Sequence, residues 1–101
     1  MFKNYKTRVF ISGRVSGIGY KYAKRRFKEA QRLLEETGYI VVNPTKLCRQ
    51  NWGYWHCMVV CLFHLLFCRY VYVLSNWKNS RGAKIEVKIA KKLNKILFIE
   101  K

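Results

Sequence analysis

Four short β-prone runs alternate with three helical stretches along this chain, and that order leaves few folds open. Thr7–Ser12, Tyr39–Val42, Tyr70–Leu74 and Ile96–Ile99 are rich in Val, Ile and aromatic residues, as strands are. Between the first two runs, Tyr20, Ala23, Phe27, Ala30 and Leu34 recur at helical spacing among Lys and Arg, and Gly38 marks a helix stop. Tyr54–Phe67 suits a mostly buried helix. Ser80 is a good cap for a last helix whose apolar stripe is Ala83, Val87 and Ala90. Residues 45–53 and 76–79 read as loops, and Pro44 ends the second strand because it cannot continue a central ladder. The order β-α-β-α-β-α-β implies a parallel sheet covered on both faces. We therefore expect an α/β fold over residues 1–101. It would be one Rossmann- or flavodoxin-like three-layer domain with a four-stranded parallel sheet in the order 2-1-3-4.

In such sheets ligands bind beyond the carboxyl ends of the strands. Three segments are expected at that rim. They are the glycine turn Gly13–Gly19, the pair Asn43-Pro44, and Trp77–Glu86.

The charge is lopsided. The chain has 21 Lys and Arg against five Glu and no Asp, a net charge of +16. The basic residues crowd residues 1–32 and 78–101, whereas 33–77 is nearly neutral and very apolar. A basic surface attracts phosphate, whether on a nucleotide, a nucleic acid or a lipid. Lys21, Lys24, Arg25, Arg26, Lys28 and Arg32 form the best nucleic-acid patch. Its aromatic residues fall on the buried stripe, which fits non-specific attraction better than base stacking. Met58–Leu74 is interrupted by His64 and Arg69 and is short for a membrane span, so no membrane partner is expected. No signal peptide opens the chain. Cys48, Cys57, Cys61 and Cys68 lack CxxC spacing, so free thiols in a reducing cytoplasm are expected.

Ser80-Arg81-Gly82-Ala83-Lys84-Ile85-Glu86 carries the scarcest chemistry in the chain. Glu86 lies where a strand feeds a helix, and a carboxylate there can act as nucleophile or base, or can merely pair with a Lys. Ser12-Gly13-Arg14-Val15-Ser16-Gly17-Ile18-Gly19 is a glycine-rich turn between a strand and a helix, either a phosphate or sugar cradle or a structural turn. It has the look of a dinucleotide-binding turn, but the second strand ends at Asn43 rather than at an acid for a ribose. Cys57, Cys61, His64 and Cys68 share one helix face. Cys57 and Cys68 are about 16 Å apart along it, too far to hold one ion. His56 and His64 lack an accompanying nucleophile motif. Trp52, Trp55 and Trp77 can stack on a base or plug the sheet end.

Together these residues resemble a small family of phages and bacteria within the nucleoside 2-deoxyribosyltransferase-like superfamily. The marks are Ile11-Ser12-Gly13-x-x-Ser16-Gly17, Phe27, and Gly38-x-x-Val41-x-Asn43-Pro44. They continue through Trp55-x-x-Met58, Cys68, Val71-Tyr72-x-Leu74 and Trp77-x-x-Ser80-x-Gly82-Ala83-x-x-Glu86. The resemblance implies that Glu86 attacks the anomeric carbon of a deoxynucleoside or its monophosphate, releasing the base and forming a sugar ester. It implies that Ser80 and Arg14 hold phosphate or sugar, and that Ser12, Gly13, Ser16 and Gly17 form the cradle beside Gly82. Asn43, Trp52 and Trp77 then face the base. No cofactor or metal is implied. A homodimer or larger assembly is, because neighbouring chains complete each site. The chain departs from the family at three places, with Phe10 for a Tyr, Cys61 for an Asp and Arg69 for an Asp. A different class of function, a non-catalytic basic module that binds nucleic acid, fits the charge alone.

Overall fold

The computed structural model describes residues 7–14, 19–48 and 53–100, without the side chain of Tyr54. Its elements follow the expected order. They are β1 (Arg8–Ser12), α1 (Tyr20–Glu36), β2 (Ile40–Val42), α2 (Pro44–Leu47), α3 (Tyr54–Leu66), β3 (Tyr70–Val73), α4 (Arg81–Lys92) and β4 (Ile96–Ile99), with a 3-10 turn at Trp77–Asn79. The sheet is four-stranded and parallel throughout, in the order β2-β1-β3-β4. In register, Val9 lies beside Val41 and Tyr70, and Ser12 beside Val73.

Strand alternation divides the core into two layers. Val9 and Ile11 meet Phe27, Ala30 and Leu34 of α1 on one face. Phe10, Val71 and Val73 meet Cys61, Leu65, Val87 and Ala90 of α3 and α4 on the other. Gly38 adopts φ +95° after α1, a backbone region a side chain would strain.

Two expectations are corrected. The first half of the stretch read as loop forms α2, because the Asn43 side chain accepts the Thr45 N–H at 2.9 Å and Pro44 fits the first helical position. The α3 helix is not mostly buried. Met58, Cys61 and Leu65 face the core, while Trp55, Val59, Phe63 and Leu66 are exposed on the opposite side. Among the described residues, no helix is long and apolar enough to cross a membrane.

Candidate functional site

Glu86 lies on the buried face of α4, between Ala83 and Ala90, and is only 6% exposed. Helical spacing puts residue 86 on the same stripe as its apolar neighbours, so its carboxyl group is carried under the sheet rather than into water. There it meets the end of β1. The Ser12 hydroxyl donates to Glu86 Oε1 at 2.8 Å across 74 residues of sequence. Burial lifts the Glu86 carboxyl to about 8, and the Ser12 hydrogen bond offsets only part of that rise. Near neutral pH the group is therefore largely protonated and poised to lose its proton just above it.

The segments around this pair are tied together by backbone contacts. The Leu74 N–H donates to the Ser12 carbonyl at 2.8 Å, and the Arg14 N–H donates to Asn76 Oδ1 at 3.0 Å. Gly13 presses on Leu74 so closely that an added Cβ would lie 2.6 Å from Leu74 Cδ1 and 2.9 Å from its Cβ. The glycine here is thus required by close approach of two chain segments. At the start of α4, Ser80 Oγ accepts the Ala83 N–H at 3.2 Å. Gly82 lies in the first turn of the same helix. Trp77 is half-buried in the preceding turn, with the Lys78 ammonium 6.0 Å from its ring centre.

The remaining sequence candidates fare differently. Ser16, Gly17 and Trp52 lie outside the described residues. Asn43 is buried and committed to structure. Its Oδ1 accepts from the backbone and hydroxyl of Thr45, and its Nδ2 donates to Gln31 at 3.0 Å. It borders a cleft of about 270 Å³ shared with Arg8, Lys46 and His64. Trp55 is 66% exposed on α3.

Of Phe10, Cys61 and Arg69, the first two lie in the layer that holds Glu86. Phe10 is fully buried two residues before Ser12, on the same sheet face. Cys61 is buried, and both its burial and the Glu86 charge push its thiol up to about 12. Arg69 is elsewhere. It precedes β3, four residues before the Val73 that pairs with Ser12, so it is about 13 Å toward the opposite end of the sheet. A charge there does not reach the Glu86 crevice directly.

Two features had no signal in the sequence. The first is a second carboxylate, Glu100, at the carboxyl ends of β3 and β4. It accepts from Arg26, from the Tyr72 hydroxyl at 3.2 Å and from the Ser75 N–H at 3.1 Å. Burial raises its pKa, but the Ser75 and Arg26 bonds outweigh burial and hold it below the usual range. One end of the sheet thus carries an ionised carboxylate held by three donors and a neutral one that, among the described residues, takes a hydrogen bond from Ser12. Opposite protonation states set by environment are how carboxyl groups are given different chemical tasks.

The second feature corrects the expectation of four free thiols. Cys48 and Cys57 are joined by a disulfide, and only Cys61 and Cys68 are free. The bond joins the end of α2 to the first turn of α3, a meeting that a linear spacing rule cannot register.

A family model described as a domain of unknown function (DUF4406) matches residues 7–99. No curated protein and no solved structure matches the chain.

Proposed function

Since the chain belongs to the DUF4406 family, whose function is open, we propose its activity from the site. It binds a deoxynucleoside or deoxynucleoside monophosphate at the carboxyl ends of β1 and β3 and acts on the N-glycosidic bond through Glu86. The observation that carries this reading is the buried Ser12–Glu86 pair, 2.8 Å apart, at the ligand-binding end of a parallel sheet.

In this reading Glu86 works as the carboxylate. It attacks C1′, a C–O bond forms, and the C–N bond to the base breaks with its electron pair going to the base. The base takes a proton from solvent or its surroundings. Water or a second base then displaces the sugar from Glu86 and frees the carboxylate. Ser12 orients the carboxyl group before attack. Ser80, Gly82 and the Arg14 backbone line the approach for sugar and 5′-phosphate, and a helix start contributes N–H donors to an anion. Cys61, as a thiol that ionises near 12, is a poor acid for the leaving base. The expected reaction is therefore slow and fastest with bases that leave readily.

The deciding experiment incubates the protein with each deoxynucleoside and each monophosphate. Free base is followed by chromatography, and a sugar ester on Glu86 by mass spectrometry. Base release that rises with pH toward about 8 and vanishes in Glu86→Gln supports the proposal. The absence of both release and saturable binding ends it.

A second copy of this chain is the expected partner for the outer face of α3. Trp55, Val59, Phe63 and Leu66 form one exposed apolar stripe. The helix that carries it has no Lys, Arg, Asp or Glu, in a chain of net charge +16. Two copies can meet there without like-charge repulsion, which the basic faces of α1 and α4 do not allow.

One observation favours the alternative of a nucleic-acid-binding module. Lys21, Lys24, Arg25, Lys28 and Arg32 on α1 are all exposed, as are Arg81, Lys84, Lys88, Lys91 and Lys92 on α4. Affinity for any sequence that collapses with salt identifies that activity. Affinity for a monophosphate that depends on Glu86 and Ser80 identifies the first.

A further inference from the structure

Three sulfurs converge where α2 meets α3. Cys57 and Cys61 stand one helical turn apart on α3, with their sulfurs 3.9 Å from each other. Cys48, at the end of α2, brings its sulfur within 3.7 Å of Cys61 Sγ and is bonded to Cys57. All three sulfurs lie within 4.8 Å of one another. In a tetrahedral zinc site with Zn–S bonds of about 2.3 Å, neighbouring sulfurs are about 3.8 Å apart. Two of the three edges already have that length. The third is closed by the disulfide and needs only the Cys48 and Cys57 sulfurs to separate.

We propose that the reduced protein holds a thiophilic divalent cation, Zn(II), between the thiolates of Cys48, Cys57 and Cys61, and that the Cys48–Cys57 disulfide is the alternative, metal-free state of the same site. Soft thiolate donors select this class of ion over Mg(II) or Ca(II). Electron balance is simple. A thiol or phosphine reductant supplies two electrons, the S–S bond breaks, and two protons complete the thiols. Zn(II) then displaces three protons and forms three Zn–S bonds.

The resulting unit carries one negative charge. Lys46, two residues before Cys48, is a nearby positive charge for that unit, while the Glu86 carboxyl acts on Cys61 and opposes it when ionised. Cys61 is buried, whereas Cys48 and Cys57 are half-buried. The site therefore keeps one side open, where a water or an incoming donor completes the fourth position. Cys68 takes no part. It is buried separately and its thiol donates to the His64 carbonyl at 3.4 Å.

The test is a titration of Co(II) into protein reduced with a phosphine under exclusion of air. The expected result is sulfur-to-cobalt charge-transfer absorption that saturates at one ion per chain and is bleached by added Zn(II). Protein with the disulfide intact shows none. Cys48→Ser, Cys57→Ser and Cys61→Ser each weaken binding by more than about a hundredfold, since even outer-shell partners are worth about 10–100-fold. Cys68→Ser binds as the parent does. The proposal is overturned if reduced wild-type protein shows no such absorption, if the oxidised protein shows it equally, or if Cys61→Ser retains it unchanged. The wild-type titration decides the matter even where a variant fails to fold.

Discussion

Replacing Glu86 by Gln isolates the energetic cost of the candidate site. The folded carboxyl ionises at about 8 rather than 4.5, chiefly because it is buried. Between those values the folded chain holds a proton that the unfolded chain has released. Stability from this group is therefore complete below about pH 4.5, declines as pH rises, and levels off above about pH 8. Each unit is worth about 1.36 kcal/mol, so the span of 3.5 units caps the loss at about 4–5 kcal/mol. Water drawn toward the ionised carboxylate reduces this, and about 2–4 kcal/mol is the working expectation.

Gln keeps the shape and the acceptor for the Ser12 hydroxyl, and it never ionises. Urea unfolding of both proteins from about pH 5 to about pH 9 measures the difference directly. Near pH 5 the two agree within about 1 kcal/mol. Near pH 9 the Gln variant is the more stable by about 2–4 kcal/mol, while any glycosidic activity is gone. Titrations of every other group are common to both proteins and cancel. A difference that stays constant across this range refutes the claim that Glu86 is buried and neutral near pH 7.

Gly13→Ala is expected to cost about 1–3 kcal/mol, read from the urea midpoint, because its Cβ meets the Leu74 side chain at under 3 Å. Glu100 shows the opposite pH dependence to Glu86. Its depressed pKa stabilises the fold above the ordinary carboxylate value and loses that effect as pH falls, so Glu100→Gln is less stable than wild type near pH 7 and the gap narrows as the pH is taken below the ordinary carboxylate value, by the same assay. Ser80→Ala loses a helix cap worth about 1 kcal/mol, and it weakens monophosphate binding more than nucleoside binding in calorimetry. Val59→Glu and Phe63→Glu leave the circular dichroism spectrum intact and convert a dimer to monomer in light scattering; a wild-type monomer at high concentration removes the α3 interface.

Local chemistry was enough to read the order of elements. Tyr20, Ala23, Phe27, Ala30 and Leu34 repeat with helical period, Tyr70–Val73 is a compact β-prone run, and Ser80 is a cap whichever fold surrounds it. From that order the parallel sheet and its 2-1-3-4 arrangement follow, because short crossovers of one hand leave few alternatives. The place of Glu86 at the mouth of the last crossover was legible for the same reason. Its protonation was not. That depends on Ser12, 74 residues away, and on the exclusion of water by Phe10, Val87 and Ala90 once the sheet is assembled. Nor could α3 be read correctly. A helix apolar on every side carries no periodic mark of which face is covered, and only the packing against α4 and the sheet turned Cys61 inward and Val59 outward. The cysteines make the same point. Spacing along one helix argues against a shared ion for Cys57 and Cys68, whereas the meeting of Cys48 with Cys57 and Cys61 exists only because α2 packs against α3. Periodicity is a property of neighbours in the chain; burial, proton affinity and the convergence of distant side chains belong to the closed core.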